Sequence, residues 1–111
     1  VRWYDRLRRS GEIAFVRRTG KRAGLPTLTA YAVSGRGRPR VAIAASKAVG
    51  PAVTRNLVRR RIRGALDELP PLREPLRLLL VAKPGAGAAP YARLAADVAA
   101  ALGSLERAPT R

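Results

Sequence analysis

The apolar residues change their spacing several times along the chain, and each change marks an element. TLTAYAV (27–33) alternates, with Leu28, Ala30 and Ala32 on one face and Thr29, Tyr31 and Val33 on the other. RVAIAAS (40–46) alternates again, through Val41, Ile43 and Ala45. Two alternating runs joined by the turn-rich SGRGRP (34–39) predict an antiparallel hairpin. LRLLLVA (76–82) is instead a short continuous apolar run, which predicts a strand buried on both faces. The remaining patterns are helical. SGEIAFVRRT (10–19) predicts a short helix with Ser10 as N-cap, Glu12 in its first turn, Ile13 and Val16 inward, and Gly20 as its stop. YARLAADVAAALGSL (91–105) places Leu94, Val98 and Leu102 four apart among strong helix formers. The first nine residues are basic with no clean period and read as an arm. PGAGAAP (84–90) reads as a linker, and residues 106–111 as a tail.

The most unusual stretch is RNLVRRRIR, residues 55–63. A helix opened by Pro51 or Thr54 and ended by Pro70-Pro71 accounts for it. At roughly 100° per residue, Val58, Ile62, Ala65 and Leu69 fall within about 60°, with Leu66 at the edge. Arg55, Asn56, Arg59, Arg60 and Arg63 fall within a separate arc of about 140°. The apolar stripe docks the helix, and the arginines share one face. Asp67 and Glu68 arrive only in the last turn, so the repulsion along Arg55-Arg59-Arg63 works against the isolated helix.

The order is helix, two strands, helix, strand, helix. It predicts one domain spanning 1–111: an α/β or α+β two-layer sandwich with helices packed on a small sheet. Nearly half of the 111 residues are apolar, mostly small and aliphatic, enough for one core.

Charge sharpens the picture. The net charge is +16, with 23 basic residues against 7 acidic ones; Lys21, Lys47 and Lys83 are the lysines and the rest are Arg. Such charge repels itself in a compact fold and is best explained by a polyanionic partner. Arginine, with a planar fork that grips phosphate and stacks on bases, favours nucleic acid over an anionic membrane. A membrane-surface role also needs a broad apolar face, and the stripe here is narrow and needed for the core. No apolar run approaches a membrane span and no secretory pattern appears, so a cytoplasmic protein is the default. There is no His and no Cys. Imidazole acid/base chemistry, Ser-His-Asp triads and thiolate metal sites are therefore excluded. The carboxylates are scattered, without the pairing of a two-metal site. No catalytic residue and no metal ligand is expected.

SKAVGPAVTRNLVRRRIR (46–63) combines Ser-Lys-x-x-Gly-x-Ala-Val with Arg-Asn-x-x-Arg-Arg-x-x-Arg at fixed spacing. This resembles the protein subunits of bacterial ribonuclease P. Weaker matches flank it in order: RLRRSGEIAFVRRTGKR (6–22), LTAYAV, LLLVAKPGA and the helix that starts at Tyr91. The resemblance covers nearly the whole chain. It implies a sandwich with about four strands and a left-handed βαβ crossover, against the usual hand. It also implies a partner, ribonuclease P RNA, which cleaves the 5′ leader from precursor tRNA with bound Mg²⁺, while the protein binds that RNA and holds the leader in a cleft on the sheet. No membrane and no obligate protein partner are implied.

Carried over by position, Lys47, Arg55, Asn56, Arg59, Arg60 and Arg63 match the RNA-binding motif. Tyr31 and Ser46 match cleft positions, and Ile13, Phe15 and Arg17 are the further leader-cleft candidates that the resemblance implies. The family often has a second Lys where this chain has Ala48, and usually Phe at the position of Ile13 with another aromatic near Arg17. Phe15 is the candidate substitute. Two alternatives stay open at this point: an RNA-binding module of ribosomal-protein type, and a stand-alone metal-dependent nuclease, which the missing ligands disfavour.

Overall fold

A computed structural model describes residues 2–107. Five strands, β1 (Asp5–Arg6), β2 (Lys21–Gly24), β3 (Leu28–Ser34), β4 (Arg40–Ala45) and β5 (Leu76–Ala82), form one sheet in the order β1-β4-β5-β3-β2. Three helices, α1 (Ser10–Thr19), α2 (Ala52–Asp67) and α3 (Tyr91–Arg107), complete the fold. It is a mixed α+β sandwich, with five strands where about four were expected. The extra pairing comes from β1 and β2, two and four residues long, whose residues are mostly charged or small.

The hairpin expected between 27–33 and 40–46 does not form. Both segments are strands, but each pairs with β5 rather than with the other. β3 runs antiparallel to β5, from Leu28 opposite Ala82 to Ser34 opposite Leu76, while β4 runs parallel to it. The reason lies in β5. Its even residues Leu76, Leu78 and Leu80 enter the core under α2 and α3, and Leu79 enters a second cluster on the opposite face. A strand apolar on both sides belongs at the centre of a sheet, shielded by neighbours along both edges. The β4–α2–β5 connection follows, since parallel neighbours need a crossover.

The two faces are covered unequally. The large core contains Val58, Ile62, Ala65 and Leu66 of α2 and Leu94, Val98, Ala101, Leu102 and Leu105 of α3. Burial of each large aliphatic side chain contributes about 1.5–3 kcal/mol. Leu66 is fully buried whereas Leu69, placed on the stripe by the pattern, lies beyond the helix end and is half-buried. The other face is covered by α1, whose Val16 is sealed against Leu7, Ala42 and Leu79. Gly20 ends α1 in extended rather than left-handed conformation. Its lack of a side chain matters for space: a Cβ there would lie 2.5 Å from the Val16 carbonyl oxygen and 2.9 Å from that of Ala32.

Two segments depart from their sequence reading. Residues 84–87 form a turn of 3₁₀ helix rather than a featureless linker, with Ala86 fully buried and Gly87 against the Thr54 methyl. The tail assigned to 106–111 begins later, because α3 runs through Arg107; residues 108–111 lie outside the described residues. Among the described residues, no helix is long and apolar enough to cross a membrane.

Candidate nucleic-acid interface

The N-terminal segment explains why no period was visible in it. Tyr4 belongs to the large core and Leu7 to the small cluster. The chain crosses from one face of the sheet to the other around the outer edge of β4, so its buried residues follow neither helical nor strand spacing. It is firmly attached. Asp5 and Leu7 donate their N–H groups to the carbonyls of Pro39 and Val41, each at 2.9 Å. The Trp3 indole donates to the Leu66 carbonyl at 3.0 Å, and Arg2 pairs with Asp67 at 3.0 Å. The Tyr4 hydroxyl donates to the same carboxylate at 3.2 Å. Burial, then the adjacent Asp67 charge, push the Tyr4 phenol up to about 12.

This segment and α2 enclose a groove of about 770 Å³. One wall carries Asn56, Arg59 and Arg63 from α2; the other carries Arg2, Tyr4, Arg6 and Arg8. The floor is apolar, with Leu7, Ile13, Val41, Ala42 and Ile43. β1 covers β4 only as far as Val41. Beyond it Arg59 spans the open edge, donating from Nη1 to Asn56 Oδ1 at 3.0 Å and from Nη2 to the Ala45 carbonyl at 3.4 Å. That holds the guanidinium in place at the groove wall. The Asn56 amide nitrogen stays available as a donor. The arrangement offers phosphates several cations on two rims and offers bases an apolar floor.

Of the residues singled out from sequence, Ile13, Asn56, Arg59 and Arg63 meet in this groove. Arg60 is exposed on α2 outside the groove lining, and Arg55 is half-buried, with its Nε enclosed and without a protein acceptor. Ser46 and Lys47 are exposed at the 3₁₀ turn (Lys47–Val49) that leads into α2. Tyr31 is half-buried beside Ile13 in the cluster under α1. Arg17 is exposed near the end of α1. Phe15 does not line the groove; it is 48% exposed, with the Arg18 guanidinium 5.9 Å from its ring centre. The sequence reading missed Arg2, Tyr4, Arg6 and Arg8. Arg6-Leu7-Arg8, a buried residue between two exposed cations, was the available signal.

Arg77 also escaped notice, inside the most apolar run. Its side chain is nearly buried, yet Nη1 donates to the Arg38 carbonyl at 3.1 Å, Nη2 donates to that of Arg36, and Nε lies 3.8 Å from Glu12. Those acceptors make its burial tolerable and pin the turn between β3 and β4.

Among the described residues no three His, Cys, Asp or Glu side chains gather as a metal site would require. The carboxylates have other tasks. Asp67 holds Arg2 and Tyr4, Glu68 accepts from Tyr91 at 2.7 Å, and Glu106 accepts the Arg73 N–H at 3.0 Å. Buried Asp97 accepts from the Thr27 hydroxyl at 2.6 Å and its N–H at 3.0 Å. The described residues do not fit a resident divalent cation.

A family model described as Ribonuclease P matches residues 3–106. A ribonuclease P protein component from Streptomyces avermitilis is 42% identical, over 88% of this chain and 89% of the relative. One from Micrococcus luteus is 39% identical, over 88% and 85%. Among solved structures, the Staphylococcus aureus RNase P protein superposes with a TM-score of 0.81 at 16% identity, covering 94% of this chain and 95% of that one. The Thermotoga maritima RNase P protein gives a TM-score of 0.75 at 16% identity, over 95% and 98%. At that identity the structural likeness establishes the fold alone.

Proposed function

The chain belongs to the ribonuclease P protein family, and from that premise we propose that it binds the catalytic RNA of ribonuclease P and the 5′ leader of precursor tRNA, assisting Mg²⁺-dependent removal of the leader. The observation that carries this reading is the groove: arginines from α2 face arginines of the N-terminal segment across an apolar floor. A single strand of RNA needs both features, cations for its phosphates and an uncharged surface for its unstacked bases. Arg59 and Arg63 neutralise backbone charge, and the Asn56 amide donates to a phosphate or base. Arg60, Arg55 and Lys47, outside the groove on α2 and its leading turn, serve the catalytic RNA. Ser46 borders that surface. Tyr31, with Ile13, supports the groove from the sheet side.

The chemistry falls to the RNA in this reading. The chain has neither His nor Cys, and its described residues gather no carboxylates, so they offer no strong base and no metal cradle. Magnesium belongs to the RNA, where phosphates supply its ligands, and no step runs through a protein-held ion. The protein contributes positioning and charge neutralisation, and it lowers the Mg²⁺ concentration at which the RNA works. The test is precursor-tRNA cleavage by the cognate RNA at low Mg²⁺, with and without the protein. Rescue by the protein, with no cleavage by protein alone, is expected. An unchanged Mg²⁺ requirement contradicts the proposal.

A further inference from the structure

We propose that a second hollow, across the N-terminal ridge from the groove, receives phosphates of the same RNA strand as it leaves the groove. The inference rests on the groove being a single-strand site. The hollow measures about 400 Å³ and is lined by Asp5, Arg6, Arg8, Arg9, Glu12 and Arg40. Arg6 and Arg8 line both hollows, so the ridge that separates them is itself basic on both flanks.

The charge balance singles this place out. Its two carboxylates are already engaged: Asp5 lies 3.8 Å from Arg38, and Glu12 lies 3.8 Å from Arg77. Among the described residues, Arg6, Arg8, Arg9 and Arg40 make no ion pair within 4.0 Å. Four exposed guanidinium groups around one small hollow repel one another and invite an anion. The lining contains no apolar side chain, unlike the groove floor, so it suits phosphate rather than base. The backbone that carries Arg40 is also anchored. Arg77 holds the carbonyls of Arg36 and Arg38, and Arg40 follows directly in β4, paired opposite Arg77.

The two sites separate cleanly by mutation: Arg9 and Arg40 line only the hollow, whereas Arg59 and Arg63 line only the groove. The experiment uses the protein with its catalytic RNA and precursor tRNAs whose leaders lengthen one nucleotide at a time, reading equilibrium affinity against salt. For the wild type, affinity gains continue after the groove is filled, whatever the distal leader sequence. R9A/R40A loses those later gains and keeps wild-type affinity for the shortest leaders. Its salt slope with long leaders is shallower by about 1.4, two single-strand phosphate contacts. R9K/R40K keeps the gains. R9A/R40A behaving as wild type at every length overturns the proposal, and so does equal weakening at all lengths, which places these arginines against another partner. If R59A/R63A is weakened while R9A/R40A is normal, only the second hollow falls. If neither is weakened, the groove reading falls with it.

Discussion

Helices α2 and α3 lie against the same face of the sheet and fill one core, yet their outer surfaces have little in common. α3 buries Leu94, Val98, Ala101, Leu102 and Leu105, and exposes mostly small residues such as Ala92, Ala96, Ala100 and Ser104. α2 buries Val58, Ile62, Ala65 and Leu66, and exposes Asn56, Arg60 and Arg63, with Arg55, Arg59 and Arg61 half-exposed. Arg61 is tied to the Ala89 carbonyl at 3.3 Å. Packing uses one stripe of a helix and leaves the rest free. α3 leaves the rest nearly neutral, whereas α2 loads it with cations that cost a few tenths of a kcal/mol per like-charged pair. A surface that opposes its own helix is explained by what it meets outside.

The largest effect is expected at the α2 stripe. Ile62→Asp removes a fully buried side chain and places a carboxylate in the core, costing about 4 kcal/mol or more, and cooperative thermal unfolding should vanish. A normal melt breaks the claim that α2 is held by its stripe. Next, Leu94→Ala in α3 should cost about 2–5 kcal/mol in denaturant titrations while the salt dependence of RNA binding stays unchanged. A changed slope erases the distinction between the helices. Asp97→Ala strips the Thr27 N–H and hydroxyl of their buried acceptor and should cost about 1–3 kcal/mol, again without altering RNA binding.

The smallest effect concerns the strap on α2. Folded Tyr4 keeps its proton to about 12, whereas an unfolded tyrosine releases it near pH 10. Between those values the folded state binds more protons, so stability is intact below pH 10 and falls as pH rises toward 12. Tyr4→Phe should remove this part of the alkaline loss, read as a flatter stability–pH curve than wild type over that window. Identical slopes contradict it.

α2 and α3 were legible because their burial repeats every three to four residues within one segment. The motif residues Asn56, Arg59 and Arg63 were legible for the same reason: one helix face sets their alignment. What escaped depended on partners far along the chain. The hairpin expectation failed because local alternation cannot reveal that β5, some forty residues beyond β3, inserts between β3 and β4. The second groove wall escaped because Trp3 and Tyr4 are fixed by Leu66 and Asp67, more than sixty residues away. Arg77 in an apolar run was invisible as a clamp, since its acceptors are backbone carbonyls that no sequence displays.

The comparison of the two helices is tested most directly by the salt dependence of affinity for ribonuclease P RNA with precursor tRNA bound, which reads Arg60 on the catalytic RNA and Arg63 on the leader together. The double variant R60A/R63A should be set against R93A, an exposed arginine of α3. R60A/R63A should bind more weakly and flatten the slope by about 1.4–1.8, the loss of two phosphate contacts, while R93A matches the wild type. A folded R60A/R63A protein with wild-type affinity and slope, or an equal change from R93A, would contradict the assignment of α2 as the RNA-facing helix.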